Sequence, residues 1–381
     1  MSAPGADHER ERILVVAALA GVLAESWPVR EGLAGLGWGW TLRRVGELEL
    51  GARLWSELVR AGADRDLSAA ARAELERDAH ETAALSALRA EAARRAGAAL
   101  DDAGVPWMPM KGAALTLLAP EYGATRRALD VDLVVPPDDL ERAGGALAAS
   151  HRLVGEQRDY DGAQRDADAA MRDGVQHLYT FEGVGGVTLE LHHAFPGLPR
   201  REVTAAIFSR ATVVAERGRS VRVPALDDLL GTLCVHAVIH HAGDRKLALR
   251  HLADVSELLA RGASPEVARG RFDRWGGSSV AESMRALELA REEARTRGAS
   301  PGAAGRAVEV SADDRVRAWG SRLRLRGARI VAGLRRSGLA AVLPPRRFMV
   351  ALYGARANGI RLPLLHLHRW GAIVLRAISG K

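Results

Sequence analysis

Asp130 and Asp132 stand two residues apart in Leu129-Asp-Val-Asp-Leu-Val-Val135, and Glu190 and His192 stand two apart in Val187-Thr-Leu-Glu-Leu-His192. Residues two apart in a strand face the same side. Each run therefore carries its polar pair on one face and its leucines and valines on the other. If the two strands are neighbours, three carboxylates converge, and a hard divalent cation would relieve their repulsion. Mg²⁺ is the usual occupant, held by one or two protein carboxylates while substrate phosphates complete its octahedron. Upstream, Lys111-Gly112 separates the apolar run Val105–Met110 from the helical stretch Ala113–Ala119. A backbone turn at a helix N-terminus attracts phosphate through its amides and dipole, and glycine lets that backbone come close. Only three of the 54 Lys and Arg residues are lysines, so a lysine in such a motif is informative. Metal-assisted chemistry on a phosphate-bearing substrate is the reaction class these residues suit.

The surrounding pattern supplies elements to hold them. Residues 10–100 read as helices: apolar positions recur three and four apart in Leu54-Trp55-Leu58 and Leu75-Ala79-Thr82-Leu85-Leu88, and Leu67-Ser68 opens an Ala-rich helix. After Pro136-Pro137 comes a helix for which Asp138 or Asp139 is the expected cap. Residues 158–174 read as a polar loop. His177–Phe181, a Gly-rich turn at 183–186 and Val187–His192 read as a β-hairpin, and Val213-Val214 with Val221–Val223 as another strand pair. From Leu226 the chain is helical again, and 296–312 reads as a linker.

The run from Met110 to Val135, MKGAALTLLAPEYGATRRALDVDLVV, resembles the Lys-Gly … Arg-x-x-x-Asp-x-Asp signature of the bacterial uncharacterised nucleotidyltransferase family, within the DNA polymerase β-like nucleotidyltransferase superfamily. Leu189–Phe195, LELHHAF, resembles its later acidic-x-His strand. The resemblance covers residues 100–195 most closely. It implies an α+β fold: a polymerase β-like core of mixed sheet and flanking helices at 98–224, between an N-terminal helical region, 1–97, and a C-terminal helical region, 225–381. It further implies an enzyme that moves a nucleoside monophosphate from an NTP, ATP being the expected donor, to a hydroxyl acceptor with release of pyrophosphate. The acceptor stays open among a protein or peptide, a small molecule and RNA. Asp130, Asp132 and Glu190 would be the catalytic residues and ligands of two Mg²⁺ ions, with Mn²⁺ the alternative, and Glu190 would double as base. Lys111, Gly112 and Arg126 would bind the NTP phosphates, and His192 would orient Glu190 or the acceptor. The wider superfamily has a Gly-Ser turn before its Asp-x-Asp strand. This chain has Gly112-Ala113 and a longer gap, and Lys111 would supply part of that contact as a point charge.

Composition bounds the alternatives. One cysteine, Cys234, excludes a disulfide framework and Cys-based metal sites. The longest apolar stretch near the start, Leu14–Ala24, is well short of the ~20 residues of a membrane span, and no targeting signal is recognisable. A cytoplasmic protein without a transmembrane segment is expected. The net charge of +7 is unevenly spread. Residues 315–381 hold fourteen Arg, one Lys and no acid, leaving −8 for the rest. That basic tail suits an acidic, RNA or anionic-surface partner, or a helical subdomain paired with the acidic body. His236, His240, His241, His251 and Asp254 lie close in sequence, and helix packing with hydrogen bonds to the core is expected of them rather than zinc. Trp38 and Trp40 are expected in packing. Two competing readings stand beside the enzyme: an inactive nucleotide-binding regulatory module, and a nucleic-acid or membrane-surface binder acting through the tail.

Overall fold

The structure, a computed structural model, describes residues 4–33, 36–128, 130–156, 177–198, 200–240, 245–274 and 277–296. The polar loop 158–174, all but the first residue of the linker at 296–312, and the basic tail lie outside the described residues. The described residues all belong to one compact unit spanning Met1–Glu156 and Asp166–Leu323. The second unit, Gln157–Arg165 with Arg324–Lys381, lies outside them.

Helices open the chain: α1 (Pro4–Ala20), α2 (Trp27–Arg30), α3 (Gly39–Leu48), α4 (Gly51–Arg60) and α5 (Ala69–Asp102). At 34 residues α5 is about 50 Å long at 1.5 Å per residue. Ser68 starts it, its hydroxyl accepting the amide N–H of Ala71 at 3.3 Å. Then follow β1 (Met108–Pro109), α6 (Lys111–Leu118), α7 (Pro120–Gly123), β2 (Asp130–Val134), α8 (Leu140–Ala148), β3 (Arg152–Glu156), β4 (His177–Glu182) and β5 (Thr188–His192). The five strands form one sheet in the order β1-β2-β5-β4-β3. Its centre, β2 beside β5, is parallel, whereas β1 on β2, β4 on β5 and β3 on β4 are antiparallel. The β4–β5 hairpin is the expected one, and its turn needs glycine twice: Gly185 and Gly186 have φ of 67° and 79°.

The alternation along β2 and β5 decides which face of the sheet is which. Val131, Leu133, Leu189 and Leu191 are buried in one core with Ala92, Ala96 and Leu100 of α5 and with Leu140, Ala143 and Leu147 of α8. Trp107 closes that core by lying on Gly97, where an added Cβ would come within 2.2 Å of its indole, and its Nε1 donates to Asp101 at 2.8 Å. The opposite face carries the polar residues. The helix after Pro137 begins differently from the expectation. A single 3₁₀ turn, Pro137–Asp139, leads into α8, and Asp139 makes no capping bond. Its own backbone is already helical, which turns its carboxylate towards Arg142 at 2.8 Å instead.

Beyond the sheet, α9 (Arg201–Ser209) leads to the expected second strand pair, β6 (Thr212–Glu216) and β7 (Arg219–Val223). The chain continues through α10 (Leu226–His240), α11 (Arg245–Ala260), α12 (Pro265–Arg271) and α13 (Gly277–Thr296). A second core joins α1, α3 and α4 with α10, α11 and α13, and Ala71 and Leu75 at the start of α5 belong to it. Trp38 is buried there and Trp40 packs against its edge, as expected. No helix among the described residues is long and apolar enough to cross a membrane.

Candidate active site

The parallel pairing of β2 and β5 puts Asp132 directly opposite Glu190 and Val134 opposite His192. The condition set by the sequence, that these strands be neighbours, is met. Asp132 and His192 are buried and Glu190 is half-buried. The Nζ of Lys111 donates to Asp132 Oδ1 at 2.8 Å, and His192 Nε2 lies 2.9 Å from the same oxygen. That nitrogen is also 3.3 Å from Glu190 Oε2. Burial alone would raise the Asp132 carboxyl, but the charge of Lys111 and the hydrogen bond from His192 outweigh it. The group is held well below the ordinary carboxylate range. His192, expected to orient Glu190 or the acceptor, thus touches Asp132 more closely than Glu190.

Lys111 reaches Asp132 because of an unusual backbone. Met110 N–H still donates to Asp132 O at 3.1 Å, extending the β1–β2 pairing. The next residue, Lys111, turns to φ 49° and starts α6. Non-glycine residues in that left-handed region cost about 1–2 kcal/mol, and the ion pair with Asp132 helps offset this. Gly112 follows, and the space its missing Cβ leaves is already taken. A Cβ there would come within 2.1 Å of an Arg126 terminal nitrogen, Nη1. The glycine expected to admit phosphate is therefore needed first to admit a guanidinium.

Arg126 is itself held from behind. Its Nε and Nη2 donate to Asp254 Oδ1 and Oδ2 at 2.9 and 3.1 Å, a two-pronged pair in which Asp254 is fully buried. Tyr122 Oη donates to Asp254 Oδ1 at 2.7 Å, and His251 Nδ1 lies 3.6 Å from Oδ2. Burial opposes both charges, yet each partner overcomes it for the other: Arg126 is shifted up and Asp254 well down. Two more arginines grip the same stretch by its carbonyls: Arg89 of α5 donates to Arg126 O at 3.1 Å, and Arg250 of α11 donates to Arg127 O. Arg89 is pushed down to about 10 by burial and then by the neighbouring Arg126.

Asp130 begins β2, opposite Thr188 and exposed to solvent. Protein crowds it at longer range, and its carboxyl is raised by that desolvation and then by the charge of Asp132. It shares the face of Asp132 but not its immediate cluster, since two residues along a strand span roughly 6.6 Å. The compact group among the described residues is Asp132, Glu190 and His192, whose ligand atoms lie within 4.8 Å of one another. Ligands 2.0–2.6 Å from one ion lie within about 5 Å of each other, so two carboxylates and an imidazole fit a divalent cation. The imidazole adds a donor suited to borderline metals. Of the residues chosen from sequence, Asp132, Glu190, His192 and Lys111 meet at one point. Gly112 and Arg126 meet at a second, and Asp130 stands at the rim.

His236, His251 and Asp254 lie close together in the fold. The rings of His236 and His251 meet edge-on at 5.4 Å, and Asp254 bonds to Tyr122 and Arg126. The side chains of His240 and His241 lie outside the described residues. Sequence reading passed over Arg89, Arg250 and Tyr122. Arg89 left a signal: it occupies the buried stripe Leu75-Thr82-Ser86-Arg89-Ala96-Leu100 of α5, where an arginine must have a partner. Arg250 and Tyr122 left none, their partners being distant in the chain.

Comparison with known proteins adds three findings. The profile described as "Uncharacterised nucleotidyltransferase" matches residues 35–275, well over half of the chain. No curated protein matches. Among solved structures, that of the antibiotic-resistance factor ANT(2'')-Ia is similar, with 16% identity, 53% of this chain and 96% of that chain covered, and a TM-score of 0.30. So low a superposition score carries nothing about substrate.

Proposed function

The chain belongs to the uncharacterised nucleotidyltransferase family, and from that premise we propose that it moves AMP from ATP to a hydroxyl acceptor, with a divalent cation, Mg²⁺ or Mn²⁺, and release of pyrophosphate. Nucleotidyl transfer is the activity of the family; donor, cation, acceptor and residue roles are the proposal. The observation that carries it is the register that puts Asp132 opposite Glu190, with His192 and Lys111 on the same carboxylate.

In this reading the acceptor oxygen attacks the α-phosphorus of ATP, and the bond from that phosphorus to the pyrophosphate oxygen breaks. Glu190, half-buried and next to solvent, takes the acceptor's proton. Asp132, kept ionised, would hold the cation with Glu190 and His192, and Asp130 at the rim faces the arriving triphosphate. The bound cation supplies charge neutralisation at the attacked phosphate and the leaving pyrophosphate. Lys111 balances Asp132 before substrate binds and turns to the leaving pyrophosphate during turnover, alongside Arg126. Before the cation binds, His192 Nε2, between Asp132 and Glu190, fixes the spacing of the two carboxylates. The division into 1–97, 98–224 and 225–381 and a cytoplasmic site of action belong to the same proposal, the latter supported by the single cysteine.

Thermal unfolding with each NTP, with and without Mg²⁺ or Mn²⁺, tests the reading. ATP at 100 times its dissociation constant should add ~2.7 kcal/mol of stability, in a cation-dependent way that Asp132→Asn removes. A cation-dependent shift that survives Asp132→Asn, or none with any NTP, would sink it. Pyrophosphate release across protein, small-molecule and RNA acceptors then separates the enzyme from a module that only binds nucleotide.

A further inference from the structure

Asp254 lies 128 residues beyond Arg126, on a helix outside the sheet, yet its carboxylate ends a chain of contacts that begins at the carboxylate cluster. Asp132 is bonded by Lys111, and Lys111 is followed by Gly112. The Arg126 guanidinium occupies the Cβ space of Gly112, and two of its nitrogens are fixed by Asp254. The third nitrogen, Nη1, is the one aimed at the turn. Residues 126 and 127 are held at their carbonyls by Arg89 and Arg250, so the stretch entering β2 is clamped from α5 on one side and α11 on the other. Around Asp254 the packing is equally specific. Tyr122 donates to it, and Arg53 stacks over the Tyr122 ring, 4.9 Å from its centroid. Arg53 is in turn paired with Glu57 at 2.8 Å.

A buried ion pair is weak support for stability, because replacing both partners by apolar residues is often neutral or better. What this one does provide is direction. The planar guanidinium meets a carboxylate along its Nε–Nη2 edge and thereby presents Nη1 on the opposite side. We propose that Asp254 is a positioning residue for nucleotide binding: it sets the angle at which Arg126 presents its third nitrogen at the Lys111-Gly112 turn, where the triphosphate would lie. This rests on the nucleotidyl-transfer reading and adds to it the contribution of the C-terminal helical region to the site. A carboxylate serving only to pack α11 would not require the pair to end at the one glycine that follows Lys111.

A double-mutant cycle on the full chain tests this, with ATP and Mn²⁺ as the probe and direct binding as the readout. Asp254→Asn keeps the shape and one acceptor oxygen but removes the charge; Arg126→Lys keeps the charge but removes the fork. Each alone should weaken ATP binding about tenfold, and together no more than either does alone. Ser256→Ala, which removes the 2.9 Å hydrogen bond from α11 to Ala20 O and leaves Asp254 all its partners, should lower the unfolding midpoint and leave ATP affinity within twofold. Asp254→Glu serves if Asp254→Asn does not fold: it keeps the charge, pushes Arg126 towards Gly112, and should weaken ATP binding at least threefold. Additive losses in the cycle, or Asp254→Asn or Asp254→Glu binding ATP as the wild type does, overturn the positioning role alone. A wild-type chain that binds no NTP overturns it together with the reading beneath it.

Discussion

Asp132 and Glu190 are direct partners across the parallel strands β2 and β5, and His192 Nε2 lies between their carboxylates at 2.9 and 3.3 Å. One register therefore sets the spacing of the site. A slip of one residue would turn Leu189 or Leu191 to this face and put Glu190 into the apolar core against α5.

Glu190→Gln should separate chemistry from folding. The residue is half-buried at the open side of the cluster, so stability should change by no more than about 0.5 kcal/mol. Losing the proposed base should lower kcat by about 10²–10⁴-fold. Pyrophosphate release and thermal unfolding on the same preparation check both. Asp132→Asn should differ, because it leaves Lys111 and His192 crowded together without their carboxylate. A loss of about 3–5 kcal/mol, the usual result of breaking a buried pair, would appear as a lower denaturation midpoint.

In the proposed reaction Lys111, which donates to Asp132, would compete with a divalent cation for that carboxylate. Removing the ammonium by Lys111→Met should tighten Mn²⁺ binding in the absence of nucleotide, at least threefold by electron paramagnetic resonance titration, while slowing turnover. Unchanged or weaker Mn²⁺ binding would show that the lysine does not occupy cation space.

Acid should weaken the fold through two carboxylates. Asp132 and Asp254 are both held below the usual range in the folded chain, whereas an unfolded Asp titrates near 3.9. Each thus contributes stability that is complete above about pH 5 and is lost as the pH falls through about 4 towards the folded-state values. Urea midpoints at pH 7, 5 and 3 should fall most between the last two. Asp254→Asn should show a smaller fall over the same interval.

Cys234 should be inert until the chain unfolds. It is fully buried on α10, and burial raises its thiol to about 12. At pH 8 the thiolate fraction is then about a thousandfold below that of a thiol at its reference value of 9.0. A thiol-reactive dye should label the native protein slowly and the urea-unfolded protein within seconds. Fast native labelling would mean that α10 opens.

Alternation made β2 and β5 legible, along with the face on which each carboxylate lies, because a strand's period is local. The Gly-rich hairpin and the Ser68 helix start were legible for the same reason. The adjacency of β2 and β5 was only a condition in the sequence, since α8, β3 and β4 lie between them in the chain and parallel partners leave no turn signature. The pair Arg126–Asp254 could not be read at all: a contact over 128 residues has no period, and Asp254 sits in a helix whose pattern is satisfied by packing alone. The left-handed Lys111 was hidden too, since that conformation is far commoner for glycine or asparagine than for lysine.

The long helix α5 has a mechanical meaning. Its first turns, Ala71 and Leu75, are built into the helical core, and its last, Ala92, Ala96 and Leu100, into the core beneath the sheet. Between them Arg89 fastens, at the Arg126 carbonyl, the stretch that leads into the strand bearing Asp130 and Asp132. One unbroken beam thus carries load for both hydrophobic centres, and neither can melt without releasing the end that supports the other. Heat or denaturant should therefore take the helical and sheet-bearing parts of this unit apart in a single cooperative step.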